Sequence, residues 1–287
     1  MLRGHPQLTG RFPIFQDESS PDKQISTLIG DLENGVLTRF SQSRYYLSAI
    51  EAWLPKSTSS FSIIGDSITD GRGSTTDNND RWPDQLLTRL QSSHNGYSKL
   101  FSSIAIANQA AGGNRILADI LGPSVLSRVE RDVLSHTGVK YVMIFEGVND
   151  IGTAAADPKS QTAVGDAIIA AYKQIIARVH AAGLPIFGAT ITPFCAPPEQ
   201  ASIQPYSNAE MEKTRQRVNQ WIRTSGRFDA VVDFDKIVRN PKNGSMLADE
   251  YNSGDYLHPN VAGYKAIATA FPVEIFEKFE DGVAGWI

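Results

Sequence analysis

The run GDSITDGRGS at 65–74 follows a short apolar stretch, FSII at 61–64. An apolar run of this length, bounded by Gly, reads as a buried strand. Ser67 then stands just past the strand end, between Gly65 and Gly71, where the backbone can turn sharply. An open α/β sheet presents its reacting groups at the carboxyl ends of its strands. A Gly-Asp-Ser turn is by itself also an ordinary turn, but three later segments add weight. GGNR at 112–115 follows the apolar IAIA at 104–107, GVND at 147–150 follows YVMIF at 141–145, and DYLHP at 255–259 precedes a helical pattern. In this order they offer a hydroxyl, small and amide-bearing loop residues, and a His with an Asp three positions upstream. Acyl transfer needs such a set: an activated nucleophile, a base, a group that orients the base, and donors for an oxyanion.

Each residue also has a plainer reading. Ser67 is a nucleophile or a turn hydroxyl. His258 is a general base, or simply a polar residue before a helix that starts at Pro259. Asp255 can reach Nδ1 of His258 and fix its tautomer, or can solvate a loop. The Asn149 side-chain N–H can face an oxyanion, or Asn149 can shape a turn, while Asp150 beside it reads as structural. Asp66 and Asp70 read as holding the nucleophile loop through backbone N–H bonds. The presence of Ser67 and His258 together favours the chemical reading of the set.

GDSITDGRGS, GGNR, GVND and DYLHP resemble the four sequence blocks of the GDSL-type SGNH hydrolases, in family order, over roughly residues 58–270. The resemblance implies an esterase or acylhydrolase that needs no cofactor, and the unclustered His5, His94, His136 and His180 show no ligand spacing for a metal. It implies a catalytic triad of Ser67, Asp255 and His258. It also implies an oxyanion hole made by the Ser67 and Gly113 N–H groups and the Asn149 amide; the family's donor glycine directly precedes Asn, which selects Gly113 over Gly112. The run TDGRGSTTDNNDRWPDQL at 69–86 resembles the arylesterase and carbohydrate-esterase branch found with xylan-degrading enzymes. SRYYLSAIEAWLP at 43–55 resembles the lead-in to the first block in that branch. Members of the branch often carry a β-rich segment upstream, and with roughly forty residues before the lead-in this chain looks shortened.

The elements that must position these residues alternate regularly. Strands are expected near 61–65, 102–107, 140–146, 185–191 and 229–233. Helices are expected at 81–91 (Pro83 in its first turn), at 124–134, at 161–182 ending at Gly183, at 207–225 opening on a Ser207/Glu210 capping box, and from Pro259 to about Pro272. Such alternation predicts an α/β fold: a three-layer α/β/α arrangement around a five-stranded parallel flavodoxin-like sheet of order 2-1-3-4-5. Strands one and three are then neighbours, so Ser67 and Asn149 converge. Residues 1–57 read as an N-terminal extension packed on a main domain of 58–287, with a strand or hairpin over the apolar segment 36–54.

A chain of 287 residues can bury roughly 75% of its unfolded surface, so the core needs no staples. The net charge of −4, with basic residues scattered, leaves no nucleic-acid footprint. The single cysteine, Cys195, reads as a small buried hydrophobe. No run reaches the ~18 apolar residues of a membrane span. The first twenty residues have no apolar signal-peptide core, which points to the cytoplasm, while the resemblance favours a secreted protein with a processed or shortened N-terminus. Oligomeric state is not legible.

For substrate contacts, the polar segment 72–82, with Arg72 and Trp82, could hydrogen-bond a polyhydroxylated alcohol. Asn114 lies in the second block. Phe194 and Tyr206 in the Pro-rich loop 192–206 and Tyr256 in the 234–257 loop could form an apolar wall. A short acyl ester, such as an acetyl ester of a sugar or small alcohol, is the leading expectation. A more apolar aryl or lipid ester, a phosphoester, and a non-catalytic carbohydrate-binding relative are the alternatives.

Overall fold

The computed structural model describes residues 54–55, 57–92 and 99–284. The strand or hairpin expected at 36–54 lies, but for Leu54, outside the described residues. In chain order the elements begin with β1 (Ser59–Gly65), α1 (Ser67–Asp70), α2 (Trp82–Gln91), α3 (Lys99–Ser102) and β2 (Ile104–Ala110). Next come α4 (Val125–Val129), β3 (Val139–Phe145), α5 (Val148–Thr153), α6 (Pro158–Ala181) and β4 (Ile186–Ala189). The last are α7 (Ala209–Thr224), β5 (Ala230–Val232), α8 (Phe234–Val238), α9 (Val261–Ala270) and α10 (Glu274–Lys278).

The five strands form one sheet in the order β2-β1-β3-β4-β5, and every pairing is parallel. A parallel sheet needs crossover helices and is covered on both faces, so its strands read as continuous apolar runs. β1 and β3 fit this: Phe61, Ile63, Ile64, Tyr141, Val142 and Met143 are all fully buried. The helices flank the sheet as packed pairs, α2 with α9 and α6 with α7. Phe61, Tyr141 and Phe187 meet Phe276 of α10 in edge-on ring contacts of 5.0–6.2 Å, which closes the core at the sheet's other end.

Register is what matters for the site. Gly65 is paired with Ala110 on β2 and with Phe145 on β3. The carboxyl ends of β2, β1 and β3 therefore lie level, and the loops carrying Ser67, Gly113 and Asn149 leave the sheet side by side. This is the crevice that the strand order provides at its switch point.

Several boundaries differ from the sequence reading. Asn208, not Ser207, caps α7: its side chain accepts the Glu210 N–H at 2.8 Å, while Glu210 pairs with Lys213. Ser207 instead accepts the Ala196 N–H on its hydroxyl. The helix after His258 starts at Val261, because Pro259 is bridged to Asn252 and held extended while Asn260 caps. The segment expected as one helix at 124–134 passes from α-helix into a π-helical turn at Glu130–Leu134. α6 begins at Pro158, earlier than expected, capped by Asp157. α9 stops before Pro272, which can offer no N–H to continue it.

Candidate active site

The β1–α1 turn is built around small side chains and one buried acid. Asp66 caps α1, its Oδ1 accepting the Ile68 N–H at 2.9 Å. Ser67 is the first residue of that helix, where a backbone N–H has no helical carbonyl to reach. Gly71 ends the turn at φ +109°, and the N–H groups of Gly71 and Arg72 both return to the Ser67 carbonyl at 2.9 Å. A Cβ at Gly65 would stand 2.5 Å from the Cβ of Thr69, so only glycine lets the turn fold this tightly onto the strand.

The loop before α9 brings His258 to Ser67. Ser67 Oγ lies 2.8 Å from His258 Nε2, and His258 Nδ1 lies 2.6 Å from Asp255 Oδ2. Asp255 Oδ1 also accepts the N–H groups of Leu257 and His258, at 3.0 and 2.9 Å. Partial burial pushes the Asp255 carboxyl up, but the His258 bond and charge, with these two N–H groups, outweigh it and hold it well below the usual carboxylate range. An ionised Asp255 keeps the proton on Nδ1, which leaves Nε2 as an acceptor for the Ser67 hydroxyl. The loop is closed by Asn252, whose Oδ1 accepts from Gly254 and Tyr256, and Tyr256 adopts an uncommon left-handed φ of 62°.

The opposite wall comes from β2 and β3. Gly113 has φ +70° at the turn after β2. Asn149 sits in the first turn of α5, with its Nδ2 donating to the Asn114 carbonyl at 2.9 Å and its Oδ1 accepting from the Tyr206 hydroxyl at 3.1 Å. Asp150 accepts the N–H groups of Ile116 and Leu117 at 2.9 and 3.0 Å, which ties the 112–117 segment to α5. Asp150 is thus structural.

Beneath these loops lies an acidic cluster. Asp66, Glu146 and Asp150 are all buried, with the guanidinium of Arg128 nearby; Arg128 bonds Asn114 Oδ1, the Gln109 carbonyl and Asp132. Burial raises Asp66 to about 7, against the opposing pull of the Ile68 N–H. Burial, then the Asp66 charge, pushes Glu146 well above the carboxylate range, and neither of its oxygens has a hydrogen-bond partner among the described residues. Glu146 is therefore held as a neutral acid. Glu146, Arg128 and Gln204 carry no sequence signal, each being an ordinary residue in its own segment, and Tyr206 reads from sequence only as part of an apolar wall.

The residues expected to meet substrate divide in two. Arg72 is 70% exposed, with Nε 3.8 Å from Asp255 Oδ2, so it stands at the site. Tyr256 is half-buried beside the triad, its hydroxyl donating to Gln200. Trp82, Asn114 and Phe194 are corrections. Trp82 is fully buried between Phe234 and Phe271 and donates Nε1–H to Thr69, supporting the nucleophile turn from below. The Asn114 side chain is used internally, donating to the Pro123 carbonyl and accepting from Arg128. Phe194 is fully buried against Tyr206 and Arg215. Cys195 is half-buried rather than buried.

No helix among the described residues is long and apolar enough to cross a membrane. No curated protein matches the chain significantly. Among solved structures, the inhibitor-bound aryl esterase of M. smegmatis is 15% identical, with a TM-score of 0.55 over 77% of this chain and 99% of that one. A GDSL-like lipase from Bacteroides thetaiotaomicron VPI-5482 is 14% identical, with a TM-score of 0.51 over 88% and 97%. At such identities these two speak to fold, and the sheet order agrees. The family model described as GDSL-like lipase/acylhydrolase matches residues 62–271, which span all four loops that meet at Ser67, and on that match this ester hydrolase belongs to the GDSL-like lipase/acylhydrolase family.

Proposed function

We propose that the chain is a serine esterase working through a Ser67 acyl-enzyme. The observation that carries this reading is the unbroken chain of short contacts from Ser67 Oγ through His258 to Asp255. Ser67 Oγ attacks the ester carbonyl as Nε2 of His258 takes its proton. The tetrahedral oxyanion is held by the N–H groups of Ser67 and Gly113 and the second Nδ2 hydrogen of Asn149. Collapse expels the alcohol, which receives the proton from His258. Water, deprotonated by His258, then attacks the acyl-enzyme, and collapse of the second intermediate frees the acid and returns the proton to Ser67. Asp255 keeps the imidazole oriented and stabilises the imidazolium.

For substrate, the reading is a short acyl ester, such as acetyl, on a sugar or small alcohol, in line with the carbohydrate-esterase resemblance of residues 69–86. What supports it is the exposed polar stretch beginning at Arg72 and running through Thr75, Thr76, Asn78 and Asn79, next to the His258 loop. One observation favours a more apolar ester: Ile120 and Leu121 are 67% and 65% exposed, and Leu121 lies over Gly113.

The test is a panel of chromogenic esters from acetyl to octanoyl, with acetylated monosaccharides and a chromogenic phosphate. Ser67→Ala and His258→Ala should each abolish nearly all turnover, since the two act as one unit. A fluorophosphonate should label Ser67. Activity of either variant within about tenfold of the parent would overturn the assignment. Preference for octanoyl over acetyl would replace the sugar-ester reading with the apolar one.

A further inference from the structure

The amide of Asn149 is gripped at both ends. The Asn114 carbonyl can only accept, so the group facing it at 2.9 Å must be Nδ2. Oδ1 must then face the Tyr206 hydroxyl, 3.1 Å away, and that hydroxyl must donate. We infer that Tyr206 is a positioning residue of the oxyanion site, whose hydroxyl fixes the Asn149 amide so that its second Nδ2 hydrogen is left for the developing oxyanion. The inference rests on the reading of Asn149 as an oxyanion donor.

Tyr206 is built to do this. Its ring lies flat against Gly152 of α5, where a Cβ would run into it, so the glycine lets the tyrosine approach the helix that carries Asn149. Phe194 meets the ring edge-on at 6.3 Å. Burial, aided by the charge of Asp66, raises the phenol above its usual range, so it remains a donor at any working pH. The donated bond also polarises the amide and makes Nδ2 a better donor.

The backbone of the same segment is anchored across the site. The Tyr206 N–H donates to Gln204 Oε1 at 3.1 Å, and Gln204 Nε2 donates to the Asp255 carbonyl at 2.8 Å. Residues 204–206 thus join the loop that holds the acid to the helix that holds the oxyanion amide. No local pattern in the sequence reveals this, because the linked residues lie 51 and 57 positions apart.

The test is Tyr206→Phe, which keeps the ring and its packing and removes only the hydroxyl. With a chromogenic acetyl ester, kcat should fall about three- to tenfold, the scale of one hydrogen bond, with KM and the melting temperature nearly unchanged. The decisive measurement is a double-mutant cycle. In an Asn149→Ala background the hydroxyl has nothing to orient, so removing it should change kcat little. An equal loss in both backgrounds would show that Tyr206 acts through something other than Asn149, and an unchanged kcat in the parent background would also overturn the inference. If Asn149→Ala itself leaves kcat near the parent value, the failure belongs to the oxyanion reading and not to Tyr206 alone.

Discussion

The side chain of Leu121 lies over Gly113 so closely that a Cβ on the glycine would stand 2.5 Å from Leu121 Cδ1. Gly113 also has φ +70°, where L side chains are strained. The glycine that the proposal places in the oxyanion hole is thus required twice over, by conformation and by space.

Gly113→Ala should therefore lower both kcat and stability, the latter by about 1–3 kcal/mol from the backbone conformation and crowding. Adding Leu121→Ala should recover the crowding part of the melting-temperature loss and not the part due to φ. A Gly113→Ala enzyme that melts and turns over like the parent would show that the turn accepts a side chain.

Asn149→Ala should lower kcat by about 10²–10³, roughly 3–4 kcal/mol for one oxyanion donor, with far less effect on KM. Asn149→Asp should be at least as harmful: it removes the donor, repels the oxyanion, and sets a carboxylate oxygen against the Asn114 carbonyl that Nδ2 now reaches. A turn-shaping role makes the opposite forecast, because Asp is a good turn residue. Steady-state kinetics on a folded Asn149→Asp enzyme separates the two.

Glu146 gives a pH signature. Burial and the Asp66 charge hold its carboxyl protonated well above the usual glutamic acid value of 4.5, whereas the unfolded chain releases that proton near 4.5. The folded state thus binds more protons, so stability is greatest below the unfolded pKa and falls as pH rises toward the folded one. Glu146→Gln removes this dependence, and its melting temperature relative to the parent should climb from pH 5 to pH 8. Asp66, raised from 3.8 to about 7, adds a loss of the same sign to both proteins. Melting curves at the two pH values check this; an offset independent of pH would mean that Glu146 titrates normally.

Asp235 is fully buried and pairs with Arg215, also fully buried, at 2.6 Å and with Arg223 at 2.5 Å. Removing Asp235 takes a buried acceptor from both guanidinium groups, while Arg215 keeps Glu212 and Arg223 keeps Asp233. With those partners retained, Asp235→Ala should destabilise the protein by about 3 kcal/mol, the low end for a broken buried pair. Chemical denaturation measures this directly, and a loss below about 1 kcal/mol would place the pair in the surface class.

What the sequence determined by itself was the sheet and the set of candidate reacting residues. Apolar runs alternating with helical patterns are enough to require a parallel sheet, and the flavodoxin-like order expected of it makes strands one and three neighbours, which brings the Ser67 and Asn149 loops together. Asp255 and His258 were legible as a pair because they lie three positions apart, a local spacing that needs no tertiary information. Only the tertiary structure decided which way side chains face. Trp82 and Phe194 were read as substrate contacts, yet both point into the core, since an aromatic residue in a polar or Pro-rich segment does not announce its direction. Glu146 carries no signal in its own segment, and only burial beside Asp66 and Asp150 makes it a neutral acid. Tyr206 gained its place through a contact with a residue 57 positions away. Chemical type is written in single residues and short spacings, whereas orientation and protonation arise from packing among segments distant in the chain, and only the fold brings those together.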